Sequence, residues 1–295
     1  DLKETFRRGN IFIQLIYINV SIFIIGTLIN VFLQLFQHSI PDIFGIFALP
    51  ASFIRFFHQP WSIITYMFMH AGLLHILFNM LWLYWFGSLF LHFFSAKHLR
   101  GLYILGGILG GLLYMVAYNV FPLFNQEVAV STLVGASASV LAIVAATAYR
   151  EPNYRVQLFL FGAIRLKYLA LVVIGIDILS ITSSNAGGHI AHLGGALAGL
   201  WFAASLSKGT DLTSWINWIL DGFTSLFQKK TWKRKPKMKV HYGNSATGRE
   251  KDYDYNAHKK AQSDEVDRIL EKLKKSGYDS LTTEEKKSLF DASKR

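Results

Sequence analysis

Six long apolar runs dominate the chain before Lys208, and short polar segments separate them. A helix needs about 20 residues to cross a hydrocarbon core about 30 Å thick, and of the six runs only the fourth is short for that distance. The pattern predicts an all-α polytopic membrane protein with six transmembrane helices, which are residues 11–36, 70–94, 99–121, 133–149, 163–182 and 187–206.

Composition supports a membrane protein, since 52% of the 295 residues are hydrophobic and 15% are aromatic. The formal net charge of +11 comes mostly from lysines and arginines after Ser205. This charge therefore describes a tail and loops, and we expect no nucleic-acid partner. The chain has no cysteine, which excludes a disulfide framework, a thiolate metal site and a cysteine nucleophile.

The connection between the first two spans, Gln37 to Met69, contains three prolines and scattered aromatic residues. It is too long for a turn and too apolar for a solvated linker. We interpret it as a loop structure that lies partly in the membrane interface.

Lysine and arginine are distributed unequally over the loops. The loops on one side contain only Arg55, whereas the other side has Lys3, Arg7, Arg8, Lys97, Arg100, Arg150, Arg155, Arg165 and Lys167, followed by a basic tail. Loops rich in Lys and Arg stay in the cytoplasm. Both termini are therefore predicted to be cytoplasmic.

The chain after the sixth span forms a separate cytoplasmic tail, which divides the protein into residues 1–207, 208–262 and 263–295. Asp211 to Phe227 has an amphipathic period and predicts an interfacial helix rather than a seventh span. The basic cluster at residues 229–235 suits anionic lipid. The alternative is an ordinary stop-transfer flank.

A polar stretch, Tyr242 to Gln262, is predicted to be disordered. Beyond it, apolar residues at helical spacing up to Gly277 predict one helix, and Thr282 with Glu285 predicts the capping box of a second. Residues 263–295 would then form a small helical hairpin.

Four polar residues within the spans gather in the outer part of the membrane. At about 1.5 Å per helical residue, Ser137 lies about 20 Å and His192 about 24 Å from the inner edge, on spans that run in the same direction. Asn79 and His75 lie about 27 and 33 Å from it, on a third such span. Because intramembrane polar groups are costly and usually face a bundle interior or a water-filled cavity, this gathering indicates a functional site.

Small residues surround the serine in VGASASVL and recur in HLGGALAGL. Gly195 and Gly199 have the spacing that lets two helices approach closely. If the partner is span four, with Ala136 and Ala138, then His192 comes within hydrogen-bond reach of Ser137. The other reading of these serines is helix packing without chemistry.

The stretches HAGLLHILFNMLWLYWFG, VGASASVLAI and GGHIAHLGGALAGL lie in that order on spans two, four and six. They resemble the rhomboid family of intramembrane serine proteases from about Gln59 to Ser207, and the arrangement with its tail is most similar to rhomboids of Bacteroidetes-type bacteria. The resemblance implies a bacterial inner membrane protein that cleaves transmembrane protein substrates without a cofactor or metal.

The same resemblance implies a role for each site residue. Ser137 would be the nucleophile, His192 the general base, and His75 with Asn79 the donors to an oxyanion. Gly135 would permit the backbone turn before the serine. No Asp or Glu lies near this depth on spans four and six, so we expect a dyad without a carboxylate.

Two positions depart from the family pattern. Ala138 stands where a glycine usually follows the serine, which adds a methyl at the expected helix contact. Leu141 stands where an aromatic ring commonly packs against the histidine. Orientation of the histidine ring by stacking is therefore lost or supplied from elsewhere.

Two rival functions remain open. His70, His75, His189 and His192 could form a metal site of a membrane hydrolase, which loss of activity with EDTA would favour. A catalytically inactive rhomboid-like protein that binds transmembrane segments is the second rival. Labelling of Ser137 by a serine-directed probe distinguishes it from a protease.

The charge distribution makes a topology prediction. Reporter fusions at Gln126, at Ser183 and at the C-terminus should read outside, outside and inside, because the cation-rich loops stay in the cytoplasm. An inside signal at Gln126 would contradict the topology and the depth estimates that depend on it.

Overall fold

The computed structural model describes residues 10–36, 43–158, 162–227 and 246–293. Contacts divide the chain into two compact units, Asp1–Gln228 and Lys229–Arg295. Helix makes up 76% of the structure, which confirms an all-α polytopic membrane protein. The helices of the first unit are α1 (Ile11–Leu35), α2 (Ile43–Phe47), α3 (Phe53–His58), α4 (Ser62–Thr65), α5 (Leu73–Phe90), α6 (Ala96–Val120), α7 (Ser137–Arg150), α8 (Leu166–Leu179), α9 (Ala186–Ser207) and α10 (Ser214–Phe227).

Each of the six predicted spans corresponds to a helix. Among the described residues, α1, α5, α6 and α9 are long and apolar enough to cross a membrane. Helices α7 and α8 have 14 residues each, which gives them a length of about 21 Å. Both are therefore shorter than a hydrocarbon core of about 30 Å.

Helices α6, α7 and α9 form the centre of the first unit, and small residues bring their backbones together. A methyl group on Gly195 would overlap the carbonyl oxygen of Ala138, and one on Gly199 would overlap that of Ala142. On α6, a Cβ at Gly110 would lie 2.6 Å from the Ala138 Cβ and 2.7 Å from the Ala191 carbonyl oxygen. Only glycine permits this spacing between the three helices.

The loop between the first two spans contains α2, α3, α4 and a 3-10 turn at Tyr66–Phe68. Its short strand β1 (Leu49–Pro50) pairs antiparallel with β2 (Thr132–Leu133) just before α7. Large apolar side chains are exposed in this loop, such as Ile54 at 75% and Phe57 at 77%. That exposure suits the predicted place in the membrane interface.

Three predicted spans begin later than the apolar pattern indicated, and one of them is α5, which begins at Leu73 rather than residue 70. Helix α7 begins at Ser137 rather than residue 133, because Thr132 and Leu133 pair with the loop and Gly135 adopts a φ of +130°. Helix α8 begins at Leu166 rather than residue 163. The preceding residues form β4 (Gly162–Arg165), which pairs antiparallel with β3 (Arg155–Leu158). Hydrophobicity alone does not separate a strand from the start of an apolar helix.

Helix α10 is amphipathic, and its polar face docks on the start of α6. Asp221 pairs with Arg100 Nη2 at 2.7 Å and with Lys97 Nζ at 3.1 Å, and the Arg100 guanidinium lowers the pKa of this carboxyl. Trp215 and Trp218 on the other face are 52% and 78% exposed. The predicted amphipathic helix is therefore present and packs on the helical bundle, and its place in the membrane interface stays a prediction. The basic cluster at residues 229–235 lies outside the described residues.

The second unit contains α11 (Ala246–Ser276) and α12 (Thr283–Ser293). Glu285 Oε2 accepts the Thr282 N–H at 2.8 Å, and Thr282 Oγ1 accepts the Glu285 N–H at 3.3 Å, which are the two hydrogen bonds of a capping box. Lys272 bonds to the Glu285 carboxylate and lowers its pKa to about 2. This carboxylate therefore stays ionised near neutral pH.

The tail differs from the sequence prediction in two ways. Residues 246–262, predicted to be disordered, belong to α11, because the segment has no proline and continues into an amphipathic helix that can pack. The predicted segment 208–262 is divided between the units, since α10 belongs to the first and α11 to the second. Residues 228–245 lie outside the described part of the chain.

The glycine contacts predict an asymmetric effect of adding one methyl group. Gly195→Ala should lower the free energy of unfolding by about 1–3 kcal/mol, because α7 and α9 must separate. Gly175→Ala on α8 is the matched control, since a Cβ there meets nothing within 4 Å. Unfolding in detergent measures both, and equal stability of the two variants would contradict the packing.

Candidate active site

A cavity of about 400 Å³ lies between α5, α7, α8 and α9, and it brings the predicted site residues together. Its polar lining includes Ser137, His192, His75 and Asn79. The rest of the lining is mainly apolar, with Trp82 and Leu141 among its members. The depth estimates from the sequence are thus matched by a shared cavity.

The hydroxyl of Ser137 stands at the first residue of α7. The free N–H groups of a helix N-terminus and its positive dipole end lie around this residue. The preceding turn is held by the Gly135 N–H, which donates to the Tyr66 carbonyl oxygen at 2.9 Å. Tyr66 in turn donates its hydroxyl to the Gly107 carbonyl oxygen at 2.6 Å, so α6 holds the turn through the loop.

Gly135 is required for a second reason besides its positive φ. A Cβ there would lie 2.8 Å from His75 Nε2, and Ser137 Oγ would be 3.5 Å from the same point. The imidazole of His75 therefore approaches the backbone that leads into the serine. No larger residue fits between them without displacing the ring.

The hydrogen bonds of His75 assign its tautomer. Its Nδ1 accepts the Ala71 N–H at 3.3 Å, so the ring proton of a neutral imidazole is on Nε2. This Nε2–H is the nitrogen that lies near the turn before Ser137. Asn79 donates one amide N–H to the His75 carbonyl oxygen at 2.9 Å, which leaves a second N–H on the same nitrogen.

A carboxylate that the sequence analysis did not assign to the site lies behind His192. Asp177 on α8 has one oxygen, Oδ1, at 2.8 Å from His192 Nδ1 and at 2.8 Å from His189 Nδ1. The Asp177 side chain is only 4% exposed. The expectation of a site without a carboxylate is therefore wrong. The acid is on span five, whereas the expectation rested on spans four and six, which carry Ser137 and His192.

The signal for Asp177 was present in the sequence. It is the only acidic residue between Glu151 and Asp211, and it interrupts the apolar run LVVIGIDIL. A lone carboxylate within a membrane span is costly and by default indicates function. Asp177 Oδ1 lies 2.8 Å from His192 Nδ1, and Leu141 offers no aromatic surface to that ring.

Within the described residues, Ser137 and His192 line one cavity but form no hydrogen bond with each other. Catalytic hydrogen bonds are often long without substrate and tighten in the complex. Ala138, where the family usually has a glycine, is 1% exposed and packs at the contact between α6, α7 and α9. The added methyl is therefore accommodated by glycines on the neighbouring helices.

Residues 58–209, more than half of the chain, match the model of the Rhomboid domain. The chain belongs to the rhomboid family. Residues 249–295 match a second model, which describes a family of unknown function. The rhomboid match includes the cavity and every predicted site residue.

Two curated relatives resemble this rhomboid over half of its length or less. RHOMBOID-like protein 12, mitochondrial, from Arabidopsis thaliana is 30% identical over 157 residues, which are 50% of this chain and 47% of that protein. Presenilin-associated rhomboid-like protein A, mitochondrial, from Danio rerio is 28% identical over 138 residues, or 46% of this chain and 34% of that protein. Both names place the relatives in mitochondria, so they give no support to the expected bacterial inner membrane.

The second serine of the motif lies away from the cavity. Ser139 is fully buried, and its hydroxyl faces Met67 Sδ at 3.8 Å. The packing interpretation therefore suits Ser139, whereas Ser137 lines the cavity. His70 is buried as well, and its ring lies 5.1 Å from that of His75.

The four histidines of the alternative metal site, His70, His75, His189 and His192, do not form one cluster of ligands in the described structure. Among the described residues, the group with ligand atoms within 4.8 Å of one another is Asp177, His189 and His192. The two 2.8 Å distances from Asp177 to the rings are those of N–H···O hydrogen bonds. We therefore interpret the group as a hydrogen-bonded network.

The site geometry makes a prediction for Asn79. Removing its amide in Asn79→Ala should lower kcat by on the order of 10²-fold or less, because His75 and the α7 backbone amides would remain as donors. Cleavage of a model transmembrane substrate measures kcat and KM. Since Asn79 is buried, unfolding is measured alongside. An unchanged kcat would exclude Asn79 as an oxyanion donor.

Proposed function

We propose that this rhomboid is an intramembrane serine endopeptidase with Ser137 as nucleophile and His192 as general base. The observation that carries the proposal is the convergence of Ser137, His192, His75 and Asn79 on one cavity. An imidazole and a serine hydroxyl are the minimum for an activated nucleophile. The other two residues supply hydrogen-bond donors to the same space.

The tautomer of His192 suggests how the peptide bond would be hydrolysed. His192 bonds to Asp177 through Nδ1, so Nε2 is the nitrogen left to accept the Ser137 proton. The serine oxygen then attacks the peptide carbonyl, and His192 returns the proton to the leaving amine. Water then attacks the acyl-enzyme ester while His192 takes its proton, the ester bond breaks, His192 returns the proton to the serine oxygen, and the carboxylic acid product leaves.

The developing oxyanion needs donors that are in place before the reaction. The Nε2–H of His75 approaches the turn before Ser137, and Asn79 keeps one free amide N–H. The first N–H groups of α7 add a positive helix end at the same place. The negative charge would thus form among several fixed donors.

Rhomboid-family membrane proteins act on transmembrane substrates within the bilayer, and we propose the same substrate class here. The cation distribution over the loops supports cytoplasmic termini and a cut near the outer face. Leu74, Phe78 and Val173 give the cavity apolar walls, which suit a peptide unwound from a membrane segment. Lipid surrounds the bundle as its second partner.

A serine-directed test separates the protease from the inactive, segment-binding alternative. Wild-type protein in lipid should cleave a model single-pass substrate and react with a fluorophosphonate probe. Ser137→Ala should abolish both, because the hydroxyl is the attacking group. Loss of His192 should abolish cleavage as well.

Ser139→Ala is the matched control, since Ser139 is in the same motif but faces Met67 rather than the cavity. It should retain cleavage and labelling. Full cleavage by Ser137→Ala would identify the wrong serine. An unlabelled and inactive wild-type protein would favour the binding alternative.

A further inference from the structure

Two histidine rings share one oxygen of a buried carboxylate at the back of the cavity. Asp177 Oδ1 lies 2.8 Å from both His189 Nδ1 and His192 Nδ1. The Asp177 side chain is 4% exposed, and its second oxygen, Oδ2, has no hydrogen-bond partner among the described residues. The carboxylate is therefore held by these two rings.

We propose that Asp177 is the positioning residue for the His192 base, an inference that rests on the proposed function. Asp177 accepts the Nδ1–H of His192, so it selects the tautomer whose Nε2 is an unprotonated acceptor. Without an acceptor at Nδ1, the neutral ring is free to carry its proton on Nε2, where it cannot receive the serine proton.

The position of Asp177 suits this role better than a purely structural one. Only Leu166, Ala170 and Asp177 are buried on α8. A side chain that served only to pack α8 against α9 would be apolar, since a carboxylate in a membrane span is costly. Its cost is offset when the carboxylate faces two N–H donors and stabilises the imidazolium that forms during attack.

His189 has a different part in the network. It lies three residues before His192 on α9, and its ring centroid is 5.9 Å from that of His192. It donates to the same Asp177 oxygen but does not line the cavity with Ser137 in the described structure. We assign His189 to fixing the carboxylate, so His192 receives an acceptor that is already oriented.

The experiment compares Asp177→Asn with His189→Asn in the full-length protein in lipid. Asparagine has the shape of aspartate but presents a neutral amide. Asp177→Asn should lower kcat on the order of 10²–10⁴-fold with little change in KM, and fluorophosphonate labelling of Ser137 should slow by a similar factor. His189→Asn should reduce both rates much less, because Asp177 would still accept from His192.

The labelling rate, corrected for the folded fraction, separates positioning from packing. A packing role would change the unfolding transition and leave the reactivity of each folded molecule unaltered. If the folded Asp177→Asn protein is labelled as fast as a labelled wild type, this inference is wrong while the proposed function stands. A wild type that is neither labelled nor active would instead overturn the proposed function, together with the positioning role of Asp177.

A second measurement needs no substitution of Asp177. In the resting wild-type protein, ¹⁵N NMR of labelled histidine should assign His192 as protonated on Nδ1 and unprotonated on Nε2. The signal is assigned by its loss in His192→Asn. The opposite tautomer would overturn the inference, even if Asp177→Asn does not fold.

Discussion

Close approach of the α6, α7 and α9 backbones is the constraint on which the rest of this rhomboid depends. Gly195 and Gly199 lie against the carbonyl oxygens of Ala138 and Ala142, and Gly110 lies against both neighbouring helices. Lipid offers no hydrophobic driving force between helices, so such van der Waals contact is a main source of association. The serine and histidine are placed on the two helices that meet most closely.

Residues outside the cavity hold the polar groups of the site in place through hydrogen bonds. Tyr66 and Gly135 hold the turn before the serine, and Ala71 fixes the His75 ring. Asp177 fixes the His192 ring from the opposite side. The two histidine rings that would touch substrate are thus each held by a hydrogen bond to a group that would not touch it. Such support is what gives a catalytic group its geometry before substrate arrives.

The sequence predicted the helices and the gathering of the site residues because both follow from periodicity and depth. The length of the apolar runs identified six spans, and the number of residues from the inner membrane edge placed Ser137 and His192 at similar depth. The roles of these residues stay predictions. Asp177 was not predicted because it lies on α8, whereas the expectation of a site without a carboxylate rested on the two helices that carry Ser137 and His192. The strand β4 was missed because hydrophobicity alone does not separate a strand from the start of an apolar helix. The start of α11 was missed because its polar composition resembles that of a disordered segment.

The ion pair between Arg100 and Asp221 requires an even number of membrane crossings between these two residues. Arg100 is near the start of α6, and Asp221 is on α10, after α9; their side chains meet at 2.7 Å. Groups in contact lie on the same side of the bilayer, so the chain between them must cross an even number of times. Helices α6, α7, α8 and α9 satisfy this condition together. If the 14-residue α8 alone failed to traverse, three crossings would leave Arg100 and Asp221 on opposite sides.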